Sequence, residues 1–226
     1  MDRFGVVIAA AGQGKRMGTS EKKQFIELDG KPVLFHTVHL FSQMHEIEEI
    51  LIVTNQDDIR RTEILLAEFR NVKIVAGGAE RQNSVFFGLQ ALQNVEYAMI
   101  HDAARPFAAP EMIRRVIAKT IEAGAAIPAV PVKDTIKVVD EKRNVINTPS
   151  RQSLWAVQTP QAFRLSDILY VHQMAEEQSF LGTDDAMLFE WQGKTVAIVD
   201  GDYTNIKLTT PEDLKMAETI IGKRRG

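Results

Sequence analysis

Cysteine is absent from the 226 residues, so disulfides, thiolate nucleophiles, Cys-ligated zinc and iron–sulfur clusters are all excluded. No apolar run is long enough to cross a bilayer. The longest one near the start, residues 4–11, gives way to charged sequence from Lys15 and does not have the form of a secretory leader. There is no repeat period and no low-complexity block. Charge of one sign is lacking too: 27 Lys and Arg against 30 Asp and Glu leave a net charge of -3. That balance argues against a surface that tracks nucleic acid, yet leaves room for a local basic pocket that takes a small polyanion. Five histidines give no support to a histidine metal centre. What is present, 45% hydrophobic and 25% charged residues, is the composition of a soluble globular protein. The expected setting is cytoplasmic, with no membrane and no nucleic-acid partner.

Short apolar runs at 4–10, 49–54, 72–76, 97–101 and 126–132 read as buried strands. Between them, helical patterns cover 32–44, 57–69, 81–92 and 110–123; in the last, Ile113, Val116, Ile117 and Ile121 share one face. Strict alternation of this kind predicts an α/β fold, a mostly parallel Rossmann-like sheet with helices on both faces and ligands beyond the carboxyl ends of its strands. After Val132 the pattern changes. Residues 135–139 and 145–148 alternate apolar and polar around the charged tip 140–144, which predicts a protruding β-hairpin arm. A lone ribbon is marginal in water, so it should rest on its own domain or on a second copy of the chain. Helices are expected again at 165–178, 183–191 and 211–222, a strand at 195–200, and a solvated basic tail at 223–225. The whole chain, 1–226, reads as one domain with an arm insertion at about 133–152.

The strongest local signal is Ala9-Ala-Ala-Gly-Gln-Gly-Lys-Arg-Met-Gly18 directly after the first strand. Small residues let backbone approach a ligand, and successive N–H groups cradle phosphate oxygens. It is neither a dinucleotide fingerprint, because the third glycine is one place late, nor a Walker loop, because Arg16 stands where Ser or Thr is needed. A plain tight turn and a phosphate loop both remain open on the glycines alone. Lys15, Arg16, Lys22 and Lys23 close by tilt the reading toward a triphosphate. His101-Asp-Ala-Ala-Arg-Pro106 ends the fourth strand, so Asp102 should stand on the same rim and could hold Mg2+ with phosphates completing the shell. A structural Asp–Arg pair closing the turn is the other reading; His101 reads as packing. Gly77-Gly-Ala-Glu-Arg-Gln-Asn-Ser84 forms a further strand-to-helix turn whose backbone and hydroxyl could read a base edge.

Taken in order, the segments Ala10 to Met17, Lys23-Gln24, Gly77-Gly78 with Arg81 and Ser84, His101 to Pro106, Pro131 to Thr135, Thr159 to Gln161, Thr183 to Asp185 and Asn205 to Lys207 resemble the 2-C-methyl-D-erythritol 4-phosphate cytidylyltransferases of the non-mevalonate isoprenoid pathway. The resemblance covers nearly the whole chain; it departs at Ala79 and Thr204 from the form with acidic residues there. It implies a nucleotidyltransferase that joins CMP from CTP to a polyol phosphate and releases pyrophosphate, with Mg2+ as cofactor. It also implies roles: Arg16, Lys23 and Lys207 catalytic, Ala10, Ala11, Gly12, Gly78 and Ser84 on the nucleotide, Arg105, Thr135, Arg151 and Thr159 on the second substrate, and Asp102 on the metal. A homodimer through the arm is implied as well. The nearest rival is a ribitol 5-phosphate cytidylyltransferase, followed by a regulatory nucleotide-binding module and, third, a dehydrogenase.

Overall fold

The computed structural model describes residues 2–12 and 21–225. Its chain runs β1 (Phe4–Ala9), β2 (Glu27–Leu28), β3 (Lys31–Pro32), α1 (Val33–Ser42), β4 (Ile47–Thr54), α2 (Ile59–Leu65), β5 (Val72–Ala76), α3 (Arg81–Ala91) and β6 (Tyr97–Asp102). It continues with α4 (Pro110–Ala123), β7 (Ala125–Pro131), β8 (Val138–Val139), β9 (Val145–Asn147), β10 (Trp155–Val157), β11 (Gln161–Arg164), α5 (Leu165–Glu177), α6 (Asp185–Trp191), β12 (Ala197–Asp200) and α7 (Pro211–Arg225). Eight strands form the main sheet in the order β10-β7-β11-β6-β1-β4-β5, with β12 also paired to β7. The pairs β1–β4, β1–β6, β4–β5 and β7–β12 are parallel, which is the expected mostly parallel architecture.

The period-2 alternation of buried strands sorts side chains to two faces. Val6, Ile8, Ile50, Ile52 and Met99 meet Leu34, Val38 and Phe41 of α1 and Met112, Ile113 and Val116 of α4. Val7, Leu51, Val53, Ala98 and Ile100 meet Val85 and Leu89 of α3 and Ile168 and Val171 of α5 on the opposite face. Helix α3 comes unusually close to the sheet: a Cβ at Gly88 would lie 2.5 Å from Val7 Cγ1 and 2.7 Å from Val53 Cγ2. Gly88→Ala should therefore destabilise the fold by about 1–3 kcal/mol, through overpacking of two branched core side chains. Denaturant titration checks this, and an unchanged midpoint would show that the helix shifts freely.

Several boundaries differ from the sequence reading. Strands β10 and β11 pair antiparallel and are not visible as periodic runs, because three or four residues are too few to establish a period. The ribbon pairs only Val138–Val139 with Val145–Asn147 and forms a separate two-stranded sheet. Helix α6 starts at Asp185 because the Asp184 carboxylate caps it, accepting from Met187 N–H at 2.9 Å. Helix α7 continues through the basic end instead of leaving a tail after residue 222, since lysine and arginine are good helix formers.

Candidate active site

Parallel register brings four strand ends to one rim. Ala9 of β1 lies beside Asp102 of β6 on one side and Val53 of β4 on the other, and Thr54 lies beside Ala76 of β5. The chain runs from β1 outward to β4 and β5, then returns to place β6 on the other flank of β1. This reversal opens a crevice at the strands' carboxyl ends. The backbone leaving β1 is held from both sides: Gln24 Nε2 donates to Ala10 O at 2.8 Å, and Asn55 Nδ2 donates to Ala11 O at 2.9 Å. The backbone leaving β5 forms the second wall. Ser84 Oγ accepts from Gly78 N–H at 3.1 Å and donates to Glu80 O at 3.0 Å, tying the turn to the first turn of α3. A Cβ at Gly77 would lie 2.7 Å from Ser84 Oγ and 3.1 Å from Ala11 Cβ, so only glycine lets these two walls approach. They enclose a cavity of about 480 Å3.

The electrostatic centre is Asp102. Lys207 Nζ is 2.7 Å from its Oδ2, Arg105 Nε 3.7 Å from the same oxygen, and Arg81 Nε 3.6 Å from Oδ1. Burial alone would raise the carboxyl, but Arg81, Lys207 and Arg105 outweigh it and hold Asp102 well below the usual carboxylate range. Burial opposes the charge on Arg81 as well, and Asp185 and Asp102 more than offset it, so the guanidinium is held above its ordinary value. Burial lowers Arg105, and Asp102 opposes this in part.

Behind this group, His101 does more than pack. Its Nδ1 lies 3.1 Å from Thr159 Oγ and its Nε2 3.0 Å from Arg105 O, and Asp102 N–H donates to Thr159 Oγ at 3.1 Å. One tautomer satisfies all three contacts: the Thr159 hydroxyl accepts from Asp102 N–H and donates to Nδ1, while Nε2–H donates to the Arg105 carbonyl. Burial pushes the imidazole down to about 4, so it is neutral at physiological pH.

A smaller cavity of about 170 Å3 adjoins the first and shares Arg81, Asp102 and Lys207 with it. Of the residues singled out in the sequence, Ala11, Gly12, Lys23, Gly78 and Ser84 line the larger cavity, and Arg105 and Thr159 the smaller. Ala10 is buried behind the wall. Thr135 and Arg151 line neither cavity; Arg151 is exposed and its Nη1 donates to Lys133 O at 2.9 Å. Arg16, with Gly14 and Lys15, falls outside the described residues. Arg81, Asn55, Thr183 and Asp184 line the cavities without having been assigned a role from the sequence. Asn55 had a readable signal, since it directly follows a strand that ends on this rim.

A doubly wound sheet with glycine-walled space and clustered cations at its topological switch point defines an α/β nucleotide-binding fold. Comparisons with known proteins narrow the class to nucleotidyltransferases. A family model described as 2-C-methyl-D-erythritol 4-phosphate cytidylyltransferase matches residues 4–223. Proteins of that name from Halalkalibacterium halodurans and Geobacillus kaustophilus are 50% identical over 224 residues and 49% identical over 227, each alignment covering 98% of this chain and 98% of the relative. Among solved structures, 4-diphosphocytidyl-2C-methyl-D-erythritol synthase from Anaerococcus prevotii matches with a TM-score of 0.88 at 35% identity, covering 98% of this chain and 96% of that one. The Thermus thermophilus 2-C-methyl-D-erythritol 4-phosphate cytidylyltransferase matches with a TM-score of 0.80 at 30% identity, covering 97% and 98%. The chain belongs to the 2-C-methyl-D-erythritol 4-phosphate cytidylyltransferase family.

Proposed function

We infer that the protein transfers the cytidylyl group of CTP to 2-C-methyl-D-erythritol 4-phosphate, giving 4-diphosphocytidyl-2-C-methyl-D-erythritol and pyrophosphate in the non-mevalonate route to isoprenoids. Besides family membership, the observation that carries this reading is the pair of adjoining cavities that share Arg81, Asp102 and Lys207. Two phosphate-bearing substrates placed in them would meet at those charges. A phosphate oxygen of the polyol phosphate attacks the α-phosphorus of CTP, the bond to the β-phosphate oxygen breaks, and pyrophosphate departs. No covalent nucleophile is needed, so the protein's work is alignment and charge neutralisation.

In this reading Ala11, Gly12, Gly78 and Ser84 receive the nucleotide largely through backbone, with Ala10 supporting the wall. Lys23 and Arg16 neutralise the triphosphate, and Lys207 acts at the α-phosphate. Arg105 offers a planar fork to the acceptor phosphate, and Thr159 holds the turn from which Asp102 and Arg105 project. Asp102 suits a Mg2+ shared with phosphates, which asks the protein for one or two carboxylate oxygens. Among the described residues no group of three or more His, Cys, Asp or Glu could hold a metal without such help. A Mg2+ held by Asp102 and the triphosphate would supply charge neutralisation on the phosphate oxygens. A cytoplasmic setting is part of the same reading, since a triphosphate and a phosphomonoester do not cross a bilayer unaided. Among the described residues no helix is long and apolar enough to cross a membrane.

A homodimer joined by the ribbon belongs to this proposal. Val138, Val139, Val145 and Ile146 are exposed by 44% to 65% on a two-stranded sheet, an arrangement that is marginal in water without a partner surface. It would also give Thr135 and Arg151, outside the chain's own cavities, an acceptor phosphate to bind in the neighbouring subunit. Mixing Arg151→Ala chains with Lys23→Ala chains, each inactive alone, should then restore part of the activity, because one of the two mixed sites carries neither lesion. A monomer in sedimentation, or mixtures that stay inactive, would overturn the shared site. The reaction itself is tested by pyrophosphate release from CTP with either 2-C-methyl-D-erythritol 4-phosphate or ribitol 5-phosphate, with and without chelator. Faster turnover of ribitol 5-phosphate would overturn the acceptor assignment and leave cytidylyl transfer standing.

A further inference from the structure

Arg81 is the first residue of α3, and its guanidinium sits where the two cavities join. One side faces Asp102; on the other, Nη2 lies 2.8 Å from Asp185 Oδ2. The Asp185 side chain is only 1% exposed, whereas Arg81 keeps 34% of its side chain open toward the cavities. His172 Nε2 lies 3.3 Å from the other Asp185 oxygen, its side chain is fully buried, and its ring stacks on Phe86 at 5.6 Å. The site chemistry therefore continues inward as alternating charge, Lys207, Asp102, Arg81, Asp185, with an imidazole at the inner end.

A carboxylate buried this deeply is weak evidence for stability, because desolvation of the pair offsets much of its attraction. Its placement is more informative. Asp185 stands in the first turn of α6, and that turn is locked to the sheet: Gln161 of β11 donates from Nε2 to Asp184 Oδ2 at 2.8 Å and accepts at Oε1 from Ala186 N–H at 3.0 Å. Gln82, next to Arg81, ties α3 to the same loop, donating to Phe180 O and accepting from Gly182 N–H, both at 2.9 Å. A guanidinium has five N–H donors, and those not directed at the two carboxylates remain for phosphate oxygens.

We propose that Asp185 is a positioning residue whose buried charge holds the Arg81 guanidinium at the junction of the two cavities to receive phosphate oxygens from both substrates. The proposal rests on the cytidylyl-transfer reading and adds to it a residue that touches neither substrate. Without Asp185 the long Arg81 side chain would be held only by Asp102, and its donors would lose their fixed direction.

The test compares unmodified protein, Asp185→Asn, and the double variant Arg81→Met with Asp185→Leu, which removes both charges at similar volume. Thermal melting, kcat and KM by pyrophosphate release, and calorimetric binding of inorganic pyrophosphate are measured on each. Asp185→Asn should lower kcat by about tenfold or more and weaken pyrophosphate binding by a similar factor, as loss of one preorganised charge contact does. The double variant should regain the melting temperature while its kcat and pyrophosphate affinity stay low. A merely structural role predicts the reverse, with turnover returning alongside melting temperature, and that result would overturn the proposal. So would an Asp185→Asn protein whose kcat and pyrophosphate affinity stay within about twofold of unmodified protein. If Asp185→Asn fails to fold, Asp185→Glu, which keeps the charge but shifts the carboxylate, takes its place: a kcat and pyrophosphate affinity within about twofold of unmodified protein would overturn the proposal, and a fall in both would support it. If the unmodified protein binds pyrophosphate yet releases none from CTP and the acceptor, the cytidylyl-transfer reading fails by itself, and pyrophosphate affinities still decide whether Asp185 positions Arg81.

Discussion

Replacing Lys23 with alanine is expected to lower turnover by ~10²-fold or more while the protein stays folded, because a preorganised cation acts chiefly on charge that develops in the transition state. Lys23 opens a short 3-10 turn, and the next two residues nail that turn down: Gln24 is buried and donates to Ala10 O, and Phe25 is 3% exposed. A Cβ built on Gly12 would lie 3.6 Å from Lys23 Cε and 3.9 Å from its Nζ, so the ammonium sits over the glycine wall where a triphosphate would lie. Truncating the side chain leaves the anchors of the turn intact. Lys207→Ala should have a comparable effect through the contact of Lys207 with Asp102. Pyrophosphate release, with circular dichroism and melting as controls, measures both. A folded Lys23→Ala protein with turnover within about threefold of unmodified protein would remove Lys23 from the catalytic set. Arg16→Ala is expected to behave in the same way.

Acidification should destabilise the fold well before the carboxylates are protonated, and His101 is the reason. Its ordinary value is 6.5, and burial holds it at about 4 in the folded protein. Between those values the unfolded chain binds a proton that the folded chain refuses, so the free energy of unfolding falls as pH falls. The stabilisation is present in full above pH 6.5 and is lost by about pH 4, an effect of about 3 kcal/mol from this one group. Asp102 and Asp185, both held below the ordinary carboxylate value, extend the loss to lower pH, where they too are protonated. Denaturant midpoints at neutral, mildly acidic and acidic pH would show the slope, and His101→Gln should flatten its upper part. A flat profile from pH 7 to about 4.5 would mean that the histidine is not held neutral.

Local signals in the sequence and long-range contacts contributed different parts of this site. The rim was legible because each feature lies within a few residues of a strand end: Ala10 to Gly12 after β1, Gly77 and Gly78 after β5, and Asp102 at the end of β6. Arg105 and Lys207 were singled out as cations, but their distances to Asp102 depend on a turn and on a segment about a hundred residues away. Thr159, which the resemblance puts on the second substrate, lines the smaller cavity, and its hydroxyl also meets His101 and Asp102 N–H, a partnership across more than fifty residues that no local pattern encodes. That Thr135 and Arg151 stand apart from both cavities is likewise not encoded in any local pattern.

Residue pattern alone was enough for most of the strands and helices (β2, β3, β10 and β11 excepted), for the rim on which the ligand groups stand and, through the ordered motifs, for the family. Those follow from short-range physics, namely two- and 3.6-residue periodicity, glycine at close approaches and charge beside strand ends. Long-range packing was needed to bring β10 and β11 into the sheet antiparallel, to converge three cations on Asp102, and to set the buried Asp185 carboxylate against Arg81. Each depends on partners brought together by packing from distant parts of the chain, where desolvation and geometry, rather than neighbouring sequence, set which charges meet.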